Sequence, residues 1–193
     1  MSKFAFIVHP LGIQDIVNNE KSIVRYFIPA ISKSEFLYDR LVFPKIEDKC
    51  SKKVADITGI VSKTGQTLEG IFVGIPYTAK QIKKAMENGN KNSEFEKIMN
   101  SCRLKMDIAK AEGCNILGLG AYSSVVTKGG KLIENSEIIR LTTGNTNTTL
   151  DAVLAAYIGA KKLETNYEDY PCTVIGGTGS IGELCSLLLA EKM

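Results

Sequence analysis

Short apolar runs alternate along the chain with longer segments in which apolar residues recur every three or four positions. The first pattern is typical of buried strands and the second of amphipathic helices. The pattern predicts strands over residues 4–8, 54–62, 68–76, 115–122, 138–143 and 172–177. It predicts helices within 12–43, interrupted at Pro29, over 78–88, from 93 to a stop at Gly113, and over 147–163 and 180–193. This alternation predicts an α/β fold with a mixed, largely parallel sheet flanked by helices.

Turn and capping signals mark several boundaries. Gly65, in the turn 63–66 between two strand-like runs, predicts a β-hairpin. Four residue pairs have the spacing of a helix-capping box: Ser32–Glu35, Thr78–Gln81, Ser93–Glu96 and Ser180–Glu183. The charged segment 45–53 lacks periodicity, so we expect it to be a solvated surface segment.

Two predicted helices carry an apolar face at helical spacing. In the helix that starts near Ser93 this face consists of Phe95, Ile98, Met99, Cys102, Met106 and Ala109. In the helix 147–163 it consists of Leu150, Val153, Leu154, Tyr157 and Ile158. Such faces usually pack into the protein core. Because strands precede and follow the first of these helices, the strands 68–76 and 115–122 should run parallel with a right-handed crossover.

The composition excludes several classes of function. A formal net charge of +3 over 193 residues is too weak to indicate a nucleic-acid partner. The single histidine, His9, excludes any site in this chain that needs two imidazoles. No apolar stretch approaches the roughly 18 residues of a membrane span, and no signal peptide is recognisable. Five scattered cysteines without a CxxC pair indicate reduced thiols, so we expect a cytoplasmic protein without a metal site.

The sharpest motif is a glycine-rich loop between the last predicted strand and the last predicted helix. Its residues are Gly176, Gly177, Thr178, Gly179, Ser180, Ile181 and Gly182. They fit both G-x-G-x-x-G and G-x-x-G-x-x-G in the strand-loop-helix context of a dinucleotide-binding site. Glycines let the backbone approach a pyrophosphate, which the helix N-terminus then binds. The loop predicts a dinucleotide, NAD or NADP, as cofactor without distinguishing the two, and the alternative is a tight turn without a ligand.

Too few residues follow Cys172 for a complete βαβ unit, which takes about 30 residues. We therefore expect an N-terminal α/β substrate-side domain over 1–165 and the beginning of an incomplete dinucleotide-binding domain over 166–193. The apolar face of residues 184–190 would then be uncovered. This favours a piece of a longer enzyme. The alternative is a chain that pairs with another subunit, such as a homo-oligomer formed through the C-terminal helix.

Polar side chains follow several predicted strands, at the edge where open α/β sheets bind their ligands. The candidate substrate residues are His9, Ser123, Ser124, Lys128, Thr143, Asn145 and Thr146. Hydroxyls and lysines within 121–131 suit a carbonyl or an anion, and the run 142–149 has more polar side chains than one helix cap needs. His9 suits carbonyl polarisation or proton donation. The alternatives are an exposed loop for the lysines, a helix cap for the polar run and a loop-carbonyl partner for the histidine.

Four segments in this order, 4–10, 118–126, 142–146 and 174–182, resemble the long-chain acyl-[acyl-carrier-protein] reductase family along nearly the whole chain. The run TTGNT at 142–146 is the most specific of them. The resemblance implies an NADPH-dependent reduction of a fatty acyl thioester, on acyl carrier protein or coenzyme A, to an aldehyde through an acyl-cysteine intermediate. The family's cysteine lies beyond the glycine loop, so no residue here inherits its role and the chain alone should be inactive. Gly176, Gly179 and Gly182 match the family's nucleotide loop.

Two other functions stay open. The segments 126–128 and 145–147 resemble shikimate dehydrogenases, although Asn147 replaces the family's aspartate. That function needs an anion pocket, so Lys128→Ala should abolish it and should matter little for an acyl thioester. The other alternative is a non-catalytic binding subunit, whose apolar C-terminal helix would dock on a partner.

Overall fold

The computed structural model describes residues 3–10, 40–50, 52–88, 93–134, 138–163 and 172–191. The chain divides into two compact units, Met1–Thr143 and Gly144–Met193. The predicted helices before residue 40, with the pair Ser32–Glu35, lie outside the described residues. The predicted domain boundary between 165 and 166 lies outside them as well.

A five-stranded mixed sheet organises the first unit. Its strands are β1 (Lys3–Val8), β2 (Lys53–Val61), β3 (Thr67–Gly74), β4 (Ile116–Leu119) and β5 (Arg140–Thr142), in the order β2-β3-β1-β4-β5. β1 is parallel to β3 and β4, β4 is parallel to β5, and β2 runs antiparallel to β3. The predicted α/β class with a mixed, largely parallel sheet is confirmed. The hairpin is confirmed too, with Gly65 at φ +81° in its turn.

The helices in the described residues are α1 (Phe43–Cys50), α2 (Ala79–Glu87), α3 (Ser93–Ala111), α4 (Tyr122–Val126), α5 (Asn145–Lys162) and α6 (Ser180–Ala190). The predicted capping box of α2 is confirmed. The Gln81 N–H donates to Thr78 Oγ1 at 3.3 Å, and the Thr78 N–H donates to Gln81 Oε1 at 2.9 Å. None of the helices in these ranges has the length and hydropathy that crossing a bilayer requires.

The core of the first unit lies between the sheet and the helices α2 and α3. Ala5 and Ile7 of β1 point into it, and all six apolar residues predicted on α3 are buried there. On the opposite face of β1, the Phe4 ring lies over Gly70 of β3. Any Cβ at Gly70 would overlap that ring, so the bare backbone of β3 makes room for the phenylalanine.

The core also contains a lysine. Lys105 of α3 is 2% exposed, and its Nζ donates to the carbonyl oxygen of Cys50, the last residue of α1, at 2.5 Å. A cation at this place satisfies a carbonyl that the end of a helix leaves without an internal partner. Burial lowers the pKa of Lys105, because the charged form loses its hydration.

The described residues of the segment 45–53 are mostly exposed, as predicted, but the segment begins in a helix and two of its residues are buried. Residues 43–50 form α1, in which Ile46 and Cys50, one turn apart, are buried. The Cys50 thiol packs against Gly74 of β3, where a Cβ would come within 3.0 Å of the sulfur. Two buried positions and the bond from Lys105 suffice to hold this short helix, although its sequence is mostly charged.

Three further predictions differ from the structure. The segment 172–177 forms no strand, because no strand of the described second unit lies beside it to pair with. The strand predicted over 115–122 ends at Leu119, where a sharp turn leads into α4. On the predicted apolar face of α5, Val153 is buried, whereas three members are exposed: Leu150, Leu154 and Ile158. The second unit accordingly has a small core, in which Val153, Cys185 and Leu189 are buried.

Candidate functional site

Four strands of the sheet run in the same direction, so their carboxyl ends share one edge. At this edge β1 is followed by His9, β4 by the turn into α4, and β5 by Thr143. The structure therefore brings four of the predicted substrate residues to the carboxyl edge of the sheet in the first unit: His9, Ser123, Ser124 and Thr143.

Both ring nitrogens of His9 are hydrogen-bonded. The Tyr122 N–H donates to Nε2 at 3.2 Å, so Nε2 is the nitrogen without a proton. Nδ1 lies 3.1 Å from the Pro10 carbonyl oxygen, to which it donates the single proton of the neutral ring. This geometry fits the loop-carbonyl alternative for the histidine. A substrate would have to replace the Tyr122 N–H to reach Nε2.

The turn between β4 and α4 is a feature that the sequence analysis missed. Ala121 has φ +46° and ψ −124°, a conformation that residues with a Cβ rarely adopt. At Gly120 a Cβ would press on the Ile7 carbonyl oxygen, 2.6 Å away. The buried Ser123 hydroxyl donates to the Gly120 carbonyl at 2.7 Å, and the Ser124 hydroxyl donates to that of Ala121 at 3.1 Å. The small pair Gly-Ala between an apolar strand and a polar run was the available signal.

The loop after α4 carries Lys128, which is exposed and has a left-handed backbone with φ +51°. Thr127 before it is buried, and its hydroxyl donates to the Ser123 carbonyl at 2.7 Å. A Cβ built on Gly129 would lie 3.9 Å from Thr143 Cγ2, so the loop passes beside the end of β5. The side chains of Ser123 and Thr127 thus hold the backbone, and Lys128 is exposed to solvent, as is Lys131 further along the loop.

The glycine-rich loop lies in the second unit. Gly176 has φ +82°, and its carbonyl oxygen accepts a hydrogen bond from the Gly179 N–H at 2.9 Å. A Cβ built on Gly182 would overlap that same carbonyl group, so only glycine fits there. Gly177 and Gly179 would give a Cβ ordinary contacts of 3.5 Å and 3.4 Å. The loop is therefore folded tightly against the first turn of α6, the packing that the third glycine of the fingerprint permits.

The predicted capping box Ser180–Glu183 is not formed. α6 begins at Ser180 itself, and its N-cap is Gly179, which has no side chain to bond with. The Ser180 oxygen instead accepts a hydrogen bond from Nδ2 of Asn145, the first residue of α5, at 2.9 Å. Of the two predicted substrate residues in this unit, Asn145 therefore contacts the glycine loop, while Thr146 is exposed.

These residues fit the pyrophosphate of a dinucleotide. The glycines keep side chains away from the loop, and the first N–H groups of α6 have no acceptor within the helix. Ser180 adds a hydroxyl group at the same end. Glu183 lies in the first turn and is exposed, and its negative charge opposes an anion.

The core thiols are poor nucleophiles. Burial raises the pKa values of Cys50 and Cys114, and it raises the pKa of Cys102 to about 12. These three thiols stay protonated at neutral pH, whereas thiolates are the reactive form. Cys185 is buried as well, and Cys172 is exposed. Within the described ranges, no three His, Cys, Asp or Glu side chains come together as a metal site.

No protein-family model matches the chain. Over 133 residues, 68% of its length, the chain is 27% identical to the aminotransferase PigE of Serratia sp. (strain ATCC 39006). The alignment covers 14% of that protein, so the chain corresponds to a small part of its relative's length. The chain is thus distantly similar to one segment of an enzyme.

Proposed function

We propose that this chain is the N-terminal part of an NAD(P)H-dependent oxidoreductase that reduces a fatty acyl thioester to an aldehyde. The observation that carries the proposal is the glycine loop. Gly176 has a left-handed backbone, Gly182 lies against its carbonyl group, and an 11-residue helix follows. The turn itself requires glycine at 176 and 182, whereas Gly177 and Gly179 would accept a Cβ. Bare backbone beyond the needs of the turn, at a helix N-terminus, supports a bound pyrophosphate. The acyl thioester is proposed as substrate because the TTGNT run and the other three segments resemble the reductase family.

The residues of this chain would bind the cofactor and orient the substrate. The backbone N–H groups of residues 180–182 would hold the pyrophosphate, and the dinucleotide, when bound, supplies a hydride. His9, Ser124 and Lys128 at the sheet edge are the candidates for contact with the thioester, delivered on acyl carrier protein or coenzyme A. NADP is the expected cofactor, because the resemblance is to NADPH-dependent enzymes.

The similarity to one segment of an aminotransferase supports the part of the proposal that makes this chain belong to an enzyme.

The experiment that tests the proposal starts with the intact mass of the native gene product from its own cells. We expect a mass of about 35–40 kDa or more, enough for a complete nucleotide domain, against the 21.0 kDa of this chain. The native protein should then oxidise NADPH only when an acyl thioester is added, with aldehyde as product. The 193-residue chain, as the matched control, should not turn over. A native mass near 21.0 kDa, or a longer protein that does not oxidise NADPH, contradicts the proposal.

Lys128 separates this function from a shikimate-type dehydrogenase. Its exposed position in the loop that passes beside the end of β5 would suit the carboxylate of a small hydroxylated acid. In that case Lys128→Ala abolishes turnover of the acid, whereas an acyl thioester, which carries no such carboxylate, loses little. Comparison of kcat/KM for both substrate classes in the wild type and the variant decides between the two.

A further inference from the structure

The hydrogen bond between Asn145 and Ser180 has a fixed direction. Asn145 Nδ2 lies 2.9 Å from Ser180 Oγ. An amide nitrogen only donates, so the serine oxygen accepts, and the serine's own proton must point to another acceptor. Ser180 is exposed, and no group in the described part of the chain accepts that proton. The hydroxyl is thus a donor that the described residues leave unused.

This direction matters because of where Ser180 lies. It is the first residue of α6 and directly follows Gly179, the N-cap. The first N–H groups of a helix point the same way and also lack acceptors. With its oxygen occupied by Asn145, the serine adds one more donor to this group of donors. Phosphate oxygens, which only accept, bind best to such a set.

We infer that Asn145 is a positioning residue of the dinucleotide site, because its donation to Ser180 keeps the serine hydroxyl available as a donor to the pyrophosphate. The inference rests on the proposed function. It assigns Asn145 to the cofactor loop instead of the substrate contacts. Aspartate has nearly the same shape as asparagine but only accepts, so it would take up the serine proton and place a negative charge beside the phosphate.

The test measures how tightly the longer native protein that the proposed function expects binds NADPH, followed by NMR through the backbone amide signals of residues 176–182. Asn145→Asp should weaken binding at least about tenfold, the usual effect of losing a hydrogen bond to a charged group. Asn147→Asp is the matched control. It adds the same charge two residues further along α5, where Asn147 donates to Asp151 at 3.2 Å and not to Ser180. Its affinity should stay within about threefold of the wild type, since exposed charges are screened.

Variants of Ser180 separate a positioning role from a structural one. In a Ser180→Ala background, Asn145→Asp should cost no more affinity than Asn147→Asp does, because the serine through which Asn145 acts is gone. Ser180→Thr keeps the hydroxyl and should restore the full effect of Asn145→Asp. The thermal midpoint of each variant without ligand shows whether the fold is intact. If Asn145→Asp does not fold, Asn145→Ser replaces it in the same cycle.

The outcomes are distinguishable. Wild-type affinity in the Asn145 variant, or the same large loss with and without the Ser180 hydroxyl, overturns the inference and leaves the dinucleotide site standing. If the loop signals of the longer wild-type protein do not respond to NADPH at millimolar concentration, the proposed function is overturned and the inference with it.

Discussion

At the scale of single residues, close backbone contacts decide which side chains the chain accepts. Gly182 and Gly179 belong to the same loop and are three residues apart. A Cβ built on Gly182 would overlap the carbonyl group of Gly176. A Cβ built on Gly179 would lie 3.4 Å from the same oxygen, and Gly179 has an ordinary φ of −83°. Identical substitutions at these two positions therefore have different consequences.

We expect Gly182→Ala to lower the free energy of unfolding by about 1–3 kcal/mol, the usual cost of forcing an atom into a filled space. Gly179→Ala should change it by less than about 1 kcal/mol, because its backbone conformation is open to every residue. Urea denaturation of both variants measures the difference. Equal losses would show that the loop is not packed against α6 in solution.

Lys105 makes stability depend on pH. Its pKa in the folded state lies below the ordinary 10.5, so between these two values the unfolded chain binds more protons. The free energy of unfolding therefore rises with pH through this range and levels off above 10.5. Lys105→Met removes this dependence on pH. The free energy of unfolding of the variant, relative to that of the wild type, should therefore be highest near pH 7 and should fall toward pH 10.

Denaturant titrations at several pH values check this expectation. Lys97→Met is the control, because Lys97 is exposed on the same helix. The Lys97→Met variant keeps Lys105, so it should keep the rise of the free energy of unfolding with pH. The same rise in Lys105→Met would mean that Lys105 is hydrated in solution.

At the scale of elements, one sequence motif gives two different helix starts. Thr78 and Gln81 form a reciprocal capping box at α2. Ser180 and Glu183 have the same spacing, yet Ser180 lies inside α6 and its oxygen accepts from Asn145. The difference arises from a residue on another helix, which no local motif contains.

Thr78→Ala should therefore cost about 1 kcal/mol of stability, the typical value of a lost N-cap. Ser180→Ala should cost less than about 0.5 kcal/mol in the absence of ligand, because it removes no cap from α6. Thermal or urea unfolding of the two variants compares them directly. A larger loss for Ser180→Ala would mean that the bond to Asn145 holds the second unit together.

Local patterns predicted the elements whose signals are local. The apolar face of α3, the hairpin and the start of α2 each depend on residues a few positions apart, and all three are confirmed. The patterns failed where the partner is distant in sequence. The last carbonyl group of α1 accepts a hydrogen bond from Lys105, which is distant in sequence. The position of β1 between β3 and β4 depends on strand pairings that no short window of sequence contains.

The same limit applies to the candidate site. Strand ends predicted that His9 and Thr143 lie at one edge of the sheet, because parallel strands share that edge. The bond from the Tyr122 N–H that occupies His9 could not be predicted, since it joins residues 113 positions apart. The role of Asn145 was equally hidden, because its partner Ser180 lies 35 positions away.

At the scale of the whole molecule, the two units differ in how much apolar surface they bury. The core of the first unit joins β1, β3 and β4 to α2 and α3. In the second unit, Val153, Cys185 and Leu189 are buried, with a few half-buried neighbours. Ile175 beside the glycine loop is 96% exposed, and Leu187 of α6 is exposed as well. Buried apolar area is the main source of stability, so the second unit is the weaker one.

We therefore expect amides of α5 and α6 to exchange with solvent through openings of lower free energy than amides of β1, β3 and α3. Native-state hydrogen exchange measures these values element by element. Leu189→Ala should reduce protection in α5 and α6 and leave β1 unchanged, whereas Ile98→Ala should destabilise the first unit by about 2–5 kcal/mol. Equal opening free energies throughout would show that the chain unfolds as one cooperative unit.

The strand order also determines how long β1 stays unpaired while the chain is being synthesised. β1 emerges from the ribosome before the other strands of the described sheet, yet it lies in the middle, between β3 and β4. β4 ends at Leu119, so at about 5–20 residues per second the second edge of β1 waits on the order of ten seconds for its partner. During that interval an apolar strand has unpaired N–H and C=O groups, the features that promote aggregation. The nascent chain, more than the finished fold, is therefore the form in which the edge of β1 is open to aggregation.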